Sequence, residues 1–176
     1  MFGLFKRAGA KPMPDEPIEL TAAIEIECTP AAVYALLDWA DERNQMRARG
    51  NLVRRESEQP EVYRLWYARA PDLNFLFTVS DAVPDREYAY TATIVPPVGR
   101  RLASEERYTI DPLGDARCRV IFVNTIVHMP GLTQPELAQE VAMSSKAAAA
   151  ALTKLKLQAE QGAAAVAELE RELEQR

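Results

Sequence analysis

The sequence from residue 18 to residue 38 is IELTAAIEIECTPAAVYALLD. Its first half alternates apolar and polar residues up to Cys28, and this period of two predicts a half-buried antiparallel strand. Thr29 and Pro30 follow, and the pair predicts a helix start, because Thr caps helices and Pro is favoured at the first helical position. Apolar residues then recur at helical spacing through Asp38. The first predicted unit is therefore a strand that leads directly into a short helix.

Six more strands are predicted between residues 51 and 129. They follow a polar stretch, residues 39–49, that predicts a second short helix or helical turn ending near Gly50. Proline, glycine and aspartate residues separate the runs, and short turns of this kind favour an antiparallel meander. The runs are residues 51–57, 62–68, 73–83, 86–95, 102–111 and 116–129.

The last predicted element is a long helix that begins after Gly131. Thr133 can cap it, Pro135 lies in its first turn, and the remaining 41 residues contain no proline. Residues 147–151 are all alanine and make the middle of the helix slim. Gly162 is the natural position for a kink.

The composition excludes several classes of protein. The chain has 176 residues and a net charge of −5, which argues against nucleic-acid binding. No stretch approaches the roughly 18 apolar residues of a membrane span, and the first residues lack the apolar core of a signal peptide, so we expect a cytoplasmic protein. The glycines form no nucleotide-binding motif, and the two cysteines and one histidine lack metal-ligand spacing. The sequence therefore predicts no cofactor and no metal site.

Three segments are predicted from these patterns. Residues 1–17 form a flexible basic leader, residues 18–161 form one folded domain, and residues 162–176 form a charged helical extension. The leader combines apolar and cationic side chains that could touch an anionic membrane surface transiently. These side chains are Phe2, Leu4, Phe5, Lys6 and Arg7.

The order of a strand, two short helices, a six-strand meander and a long C-terminal helix resembles the helix-grip fold of the START-like superfamily, also called SRPBCC. The resemblance covers about residues 18–160, and its motifs are the strand leading into residues 29–38, the hairpin run and residues 151–156. It implies an α+β fold in which a seven-stranded antiparallel sheet wraps around the C-terminal helix and leaves an apolar cavity. Superfamily members include polyketide cyclases, lipid carriers, plant hormone receptors and ring-hydroxylating oxygenase domains, so the fold does not identify the chemistry.

The alternation within each strand predicts which side chains face the helix. In the run 102–111 it turns the even-numbered residues inward, from Leu102 to Ile110. Aromatic stripes are equally typical of a packed core, so the cavity follows from the resemblance and not from these residues. The side chains expected to bind a ligand are Phe75, Phe77, Tyr88, Tyr90, Tyr108, Phe122 and Asn124.

Two of the residues predicted on the inner face are candidates for catalysis. Glu106 and His128 could move protons on a bound enolisable substrate, since burial would raise the pKa of the carboxyl group and histidine titrates near neutrality. Tyr108 or Tyr88 would stabilise the developing enolate. The alternative interpretations are an exposed or capping His128 and a Glu106 that is ion-paired or displaced by a bulge.

Three functions are consistent with the sequence. The first is binding of an apolar small molecule, such as a lipid, an isoprenoid or a polyketide-like compound. The second is a cofactor-free cyclase or dehydratase that uses Glu106 and His128 in the same cavity. The third is partner binding or self-association through the C-terminal helix. Cys28 and Cys118 are expected to be neighbouring free thiols on the first and last strands.

Overall fold

The structure is a computed structural model, and it describes residues 16–68 and 70–175. Seven antiparallel strands form one sheet in the order β1-β7-β6-β5-β4-β3-β2. The strands are β1 (Ile18–Ile26), β2 (Leu52–Arg55), β3 (Val62–Tyr67), β4 (Ala70–Val83), β5 (Glu87–Val95), β6 (Arg101–Gly114) and β7 (Arg117–His128). The helices are α1 (Pro30–Leu37), α2 (Gln45–Ala48), α3 (Gln134–Gln161) and α4 (Ala163–Glu174). The predicted α+β helix-grip architecture is confirmed.

Local sequence signals produce this order. Thr29 accepts a hydrogen bond from the backbone N–H of Ala32 at the start of α1, with Pro30 in the first helical position. Thr133 and Glu136 form a capping box at the start of α3. Apart from the return from β7 to β1, every neighbouring pair of strands in the sheet is consecutive in the chain. The six-strand meander is therefore present as predicted.

The predicted kink at Gly162 is a complete reversal of the chain. Gly162 has φ of 87°, a left-handed conformation that favours glycine. Lys154 Nζ on α3 lies 2.6 Å from Glu170 Oε1 on α4, although the two residues are 16 positions apart. A continuous helix would separate them by about 24 Å. The C-terminal extension therefore folds back on α3, and Val166 of α4 is completely buried.

A bulge at the start of β6 changes the predicted inner face. Arg101 pairs with His128 and Ala103 with Val127, so one extra residue lies between the two pairs. Leu102 is consequently 45% exposed, and its predicted inward position is wrong. Parity is regained at Ser104, and the inward positions of Glu106 and Tyr108 are unaffected.

A buried asparagine closes the C-terminal end of α1. The Asn44 side-chain amide donates to the carbonyl oxygens of Leu36, Leu37 and Asp38 at 3.3, 3.2 and 3.1 Å. Its Oδ1 accepts from the backbone N–H of Met46 at 3.0 Å, at the start of α2. Asn44 is only 1% exposed. One side chain therefore satisfies the ends of two helices and fixes the segment between them.

The two cysteines lie close to each other, Cys118 on β7 and Cys28 just beyond the end of β1. Cys118 on β7 pairs with Ile26, and Cys28 follows two residues after the end of β1. Both are free thiols, and burial raises the pKa of Cys118.

Among the described residues no helix has the length and apolar character required to cross a bilayer. The leader side chains with a predicted role at a membrane surface, from Phe2 to Arg7, lie outside the described residues.

We predict that Asn44→Ala destabilises the fold. The substitution leaves helix-end carbonyl groups without a donor inside the protein, and the free energy of unfolding should fall by about 1–3 kcal/mol. Urea unfolding followed by circular dichroism measures this change. Glu58→Ala, at an exposed position, is the control. Equal unfolding midpoints for the two variants would contradict a stabilising role for the cap.

Candidate functional site

A cavity of 750 Å³ lies between the inner face of the sheet, α3, α4 and the α2 segment. The α3 wall is made of small side chains, mainly the alanines between positions 147 and 151. The sheet wall is aromatic, and Trp39, which follows α1, adds a further ring. The aromatic residues on the cavity wall are Trp39, Tyr67, Phe75, Phe77, Tyr90, Tyr108 and Phe122.

The rings on the wall present flat apolar surfaces. Trp39 stacks on Phe77 with a centroid distance of 4.2 Å and an interplanar angle of 19°. Phe75 lies nearly parallel to Phe77, at 9° and 6.2 Å. Tyr90 meets Phe77 edge-on at 5.2 Å. These geometries fix the ring orientations, because each ring is held by at least one neighbour.

A carboxyl group lies within this aromatic wall. Glu106 Oε2 accepts hydrogen bonds from the hydroxyl groups of Tyr90 and Tyr108, at 2.8 and 3.2 Å. Burial raises the pKa of Glu106, although the two tyrosine hydrogen bonds and the charge of Arg101 oppose the shift. The neutral form of Glu106 therefore persists to higher pH than in an exposed carboxyl group.

Burial and the neighbouring carboxylate also raise the pKa of both tyrosines well above the ordinary value. Tyr90 and Tyr108 therefore keep their protons and act as donors to Glu106. Tyr67, on β3 and also at the cavity wall, has its pKa raised by burial too.

Two further polar groups on the wall are Arg101 and Asn124. Arg101 Nη2 on β6 donates to Ser144 Oγ on α3 at 3.0 Å, so the guanidinium group joins sheet and helix. Asn124 on β7 is 5% exposed, and its Oδ1 is buried without a hydrogen-bond donor among the described residues. An unsatisfied buried amide is costly to maintain, which makes Asn124 a candidate for ligand binding.

Charged side chains fasten α4 across one side of the cavity. Glu170 Oε1 lies 2.6 Å from Lys154 Nζ on α3 and 3.4 Å from Arg49 Nη1 beside α2. Leu173 on the next turn of α4 also lines the cavity and is 55% exposed. The cavity therefore meets solvent beside α4, and α4 forms part of its rim.

Most of the predicted site residues line the cavity. Tyr88 and His128 do not. The Tyr88 hydroxyl lies in the core, where it accepts from the Trp39 backbone N–H at 3.0 Å and donates to Asp38 Oδ1 at 3.2 Å. The members of the predicted set on the cavity wall are Phe75, Phe77, Tyr90, Glu106, Tyr108, Phe122 and Asn124.

His128 lies at the end of β7, apart from Glu106. Its Nε2 is 3.6 Å from Glu140 Oε2 on α3, and the side chain is 6% exposed. Strand pairing places His128 opposite Arg101, five positions before Glu106 on β6. The structure does not bring the predicted acid–base pair together in the cavity.

Several cavity residues escaped the sequence analysis. Arg101 faces inward only because of the bulge, which alternation alone cannot reveal. Trp39 and Met46 carried a signal, since they are the large apolar residues of an otherwise polar segment. Arg49 and Glu170 depend on the reversal at Gly162 and had no local signal.

Comparison with known proteins supports the architecture. No protein-family model matches the chain, and no curated protein matches it. Among solved structures, the di-domain ARO/CYC BexL from the BE-7585A biosynthetic pathway is 16% identical with a TM-score of 0.65, over 79% of this chain and 45% of that one. DynU16, from the dynemicin biosynthetic locus, is 13% identical with a TM-score of 0.61, over 85% and 49%.

A START superfamily protein from Mycobacterium smegmatis is 14% identical with a TM-score of 0.52, over 78% of this chain and 90% of that one. The chain has a START-like fold. It spans about half the length of DynU16 and BexL, and identities this low are informative about the fold alone. In this START-like fold the cavity occupies the space between the sheet and α3, while α4 supplies a further wall.

We predict that the stability of Glu106→Gln, measured relative to the wild type, is higher at neutral pH than at acidic pH. The pKa of Glu106 is raised in the folded state, so the folded protein binds more protons and wild-type stability falls as pH rises through that pKa. The loss amounts to about 1.4 kcal/mol per unit of pKa difference. Urea unfolding of both proteins between about pH 4.5 and 7.5 measures this loss. The other carboxyl groups contribute equally to the free energy of unfolding of the two proteins, so their contributions cancel in the difference. A pH-independent difference would contradict the raised pKa.

We predict that Glu170→Gln loosens α4 without unfolding the domain. Partly exposed ion pairs contribute about 0.2–1 kcal/mol each, so amide hydrogen exchange in residues 163–174 should accelerate by a few-fold. Exchange in the strands should not change. The matched control is Glu172→Gln, an exposed carboxylate on the same helix. Equal exchange in both variants would show that the Glu170 contacts do not hold α4.

Proposed function

We propose that this protein binds an apolar small molecule, such as a lipid, an isoprenoid or a polyketide-like compound, in the cavity between the sheet and α3. The observation that carries the proposal is the cavity itself. Its 750 Å³ falls within the roughly 300–1,000 Å³ of small-molecule sites. Well-packed interiors contain few voids larger than a water molecule, so a space of this size is not a packing defect.

The chemistry of the wall favours an apolar, flat ligand. Stacked rings such as Trp39 and Phe77 offer aromatic faces, and the alanines of α3 lie opposite without bulky side chains. Each square ångström of apolar surface that a ligand removes from water contributes about 25 cal/mol. The small group of Glu106, Asn124 and Ser104 provides a polar region that could orient one end of the molecule.

Two structurally similar proteins are associated with small-molecule biosynthesis. BexL belongs to the BE-7585A biosynthetic pathway, and DynU16 comes from the dynemicin biosynthetic locus. Their association favours a biosynthetic small molecule as the ligand here as well, with a polyketide-like compound as one candidate.

A second candidate function is a cofactor-free cyclase or dehydratase. One observation favours it, namely a buried carboxyl group with a raised pKa at the wall of a ligand-sized cavity. Without His128 at the wall, Glu106 would act with Tyr90 and Tyr108 as its hydrogen-bond donors. An enzyme would need Glu106 for turnover, whereas a binding protein would need it only for affinity.

Partner docking through the C-terminal helix and transient membrane contact through the leader stay predictions. The described part of α4 is already engaged with its own chain through Val166 and Glu170. A partner of α4 would therefore contact its outer face, unless the helix detaches.

We predict that Ala151→Trp blocks ligand binding. Ala151 is exposed and lines the cavity, so an indole at this position would enter the space without overpacking the buried core. The affinity for the neutral fluorescent probe N-phenyl-1-naphthylamine, measured by titration, should fall by at least about tenfold, equivalent to about 1.4 kcal/mol.

The matched control is Ala149→Trp, an exposed alanine of the same helix that does not line the cavity. It should bind the probe as the wild type does. Native mass spectrometry of the purified protein, followed by solvent extraction, would identify any small molecule that is already bound. Equal probe affinity in both variants, or no probe binding to the wild type, would overturn the proposal.

A further inference from the structure

A row of polar side chains crosses three neighbouring strands inside the cavity. Tyr90 on β5 pairs with Glu106 on β6, and Glu106 pairs with Asn124 on β7. Directly opposite residues on one face of an antiparallel sheet have Cβ atoms about 4.5–5.5 Å apart. The side chains of Glu106 and Asn124 are therefore close enough for one ligand atom to contact both.

The tyrosine hydrogen bonds determine which oxygen of Glu106 can carry a proton. Both hydroxyl groups donate to Oε2, and Oε1 has no hydrogen-bond partner among residues 16–68 and 70–175. When the carboxyl group is neutral, its proton consequently resides on Oε1. Glu106 lines the cavity and keeps part of its surface open, so Oε1–H is a donor available to a ligand.

Asn124 supplies a second donor beside it. Its Oδ1 is enclosed by protein, which leaves the Nδ2–H groups as the donors that can reach the cavity lined by this residue. Within the described part of the chain, Asn124 Oδ1 has no hydrogen-bond donor. The Nδ2–H groups of Asn124 are free to donate to an acceptor in the cavity, whereas Oδ1 stays enclosed by protein.

We propose that the ligand presents a carbonyl oxygen to this row, where it accepts hydrogen bonds from Glu106 Oε1–H and Asn124 Nδ2–H. The ligand class is a flat apolar molecule with a ketone, quinone or similar carbonyl group at one end. This inference rests on the proposed function, because it requires an occupied cavity. It goes further by assigning the polar end of the ligand and the protonation state that binds it.

The surroundings of Glu106 favour the neutral carboxyl group. Burial raises the pKa of Glu106, and the Arg101 guanidinium group, whose charge opposes the shift, donates its hydrogen bond to Ser144 on α3 and not to the carboxyl group. A carbonyl ligand binds the neutral form, so its affinity falls by up to about tenfold per pH unit above the pKa of Glu106. The titratable and charged groups around Glu106 are Tyr90 from β5, Tyr108 and Arg101 from β6, and Tyr67 from β3. The uncharged Asn124 lies opposite on β7, and the helices and the α2 segment contribute charged residues to the same cavity, namely Arg49, Lys154, Glu170 and Glu174.

Two probes of the same shape test the inference. 2-Acetylnaphthalene carries a carbonyl group, and 2-isopropenylnaphthalene replaces its oxygen with a methylene group. Displacement of N-phenyl-1-naphthylamine gives the affinity of each naphthalene probe for the wild type and for each variant. The ratio of the two affinities is then compared between the wild type and the variant, because the difference in hydration between the two probes is the same for both proteins and cancels. Asn124→Leu should reduce the ratio about 3- to 10-fold, the loss expected for one hydrogen bond.

Glu106→Gln separates proton donation from charge. The glutamine oxygen can accept from both tyrosines while its amide donates toward the ligand, which reproduces the neutral carboxyl group. This variant should keep the preference for 2-acetylnaphthalene at all pH values, whereas the wild-type preference should decline as pH rises. Binding of 2-isopropenylnaphthalene should be independent of pH and shows that each variant is folded.

The outcomes distinguish failure of the proposed ligand binding from failure of the proposed carbonyl contact. If neither probe binds the wild type, the ligand-binding function itself is overturned. If both probes bind, but Asn124→Leu leaves the ratio unchanged and the wild-type preference is independent of pH, the cavity binds ligands without the carbonyl contact and this inference is wrong. The wild-type pH series does not depend on the folding of any variant.

Discussion

The sheet encloses a cavity because α3 turns its smallest side chains toward it. Interiors normally pack to the density of organic crystals, so two apolar surfaces facing each other collapse until their side chains interdigitate. The alanines at positions 147, 148, 150 and 151 present only methyl groups along this stretch of the helix, opposite the aromatic rings. Bulky contacts at Leu152 and Leu155, which are buried, hold the helix at a fixed distance from the sheet. The slim stretch and the bulky contacts together determine the volume and shape of the cavity.

The same space makes the polar row possible. A carboxyl group buried in a packed apolar core would be strongly disfavoured, and two tyrosine hydroxyl groups at Glu106 Oε2 only partly compensate for the lost hydration. An adjoining cavity allows the remaining carboxyl oxygen and the Asn124 amide to obtain partners from solvent or from a ligand. A ligand acceptor in the cavity would replace solvent as the partner of Glu106 Oε1–H and Asn124 Nδ2–H, whereas Asn124 Oδ1 stays enclosed by protein.

The sequence predicted the fold well because its signals were local and repeated. Thr29-Pro30, the turn residues between the strands and the capping residue Thr133 each determine one boundary, and all of them agree with one topology. Seven of the nine predicted site residues lie on the cavity wall, since alternation holds across β5 and β7 and in β6 after its bulge. The exceptions are Tyr88 and His128. Alternation predicts which face of the sheet a side chain lies on, but not its position along the strand, and Tyr88 lies in the packed core while His128 lies at the end of the sheet.

What the sequence could not predict depends on contacts between residues that are distant in the chain. Gly162 indicated a break, but a glycine alone does not determine the angle of the following helix. The partners of Glu170 and the burial of Val166 show that α4 returns to α3. Arg49 and Lys154 had no detectable role before that reversal was known. The reversal brings residues of α4 to the cavity, whereas a straight extension would have carried them away from it. The orientation of the last twelve-residue helix thus makes the C-terminal segment a wall of the cavity.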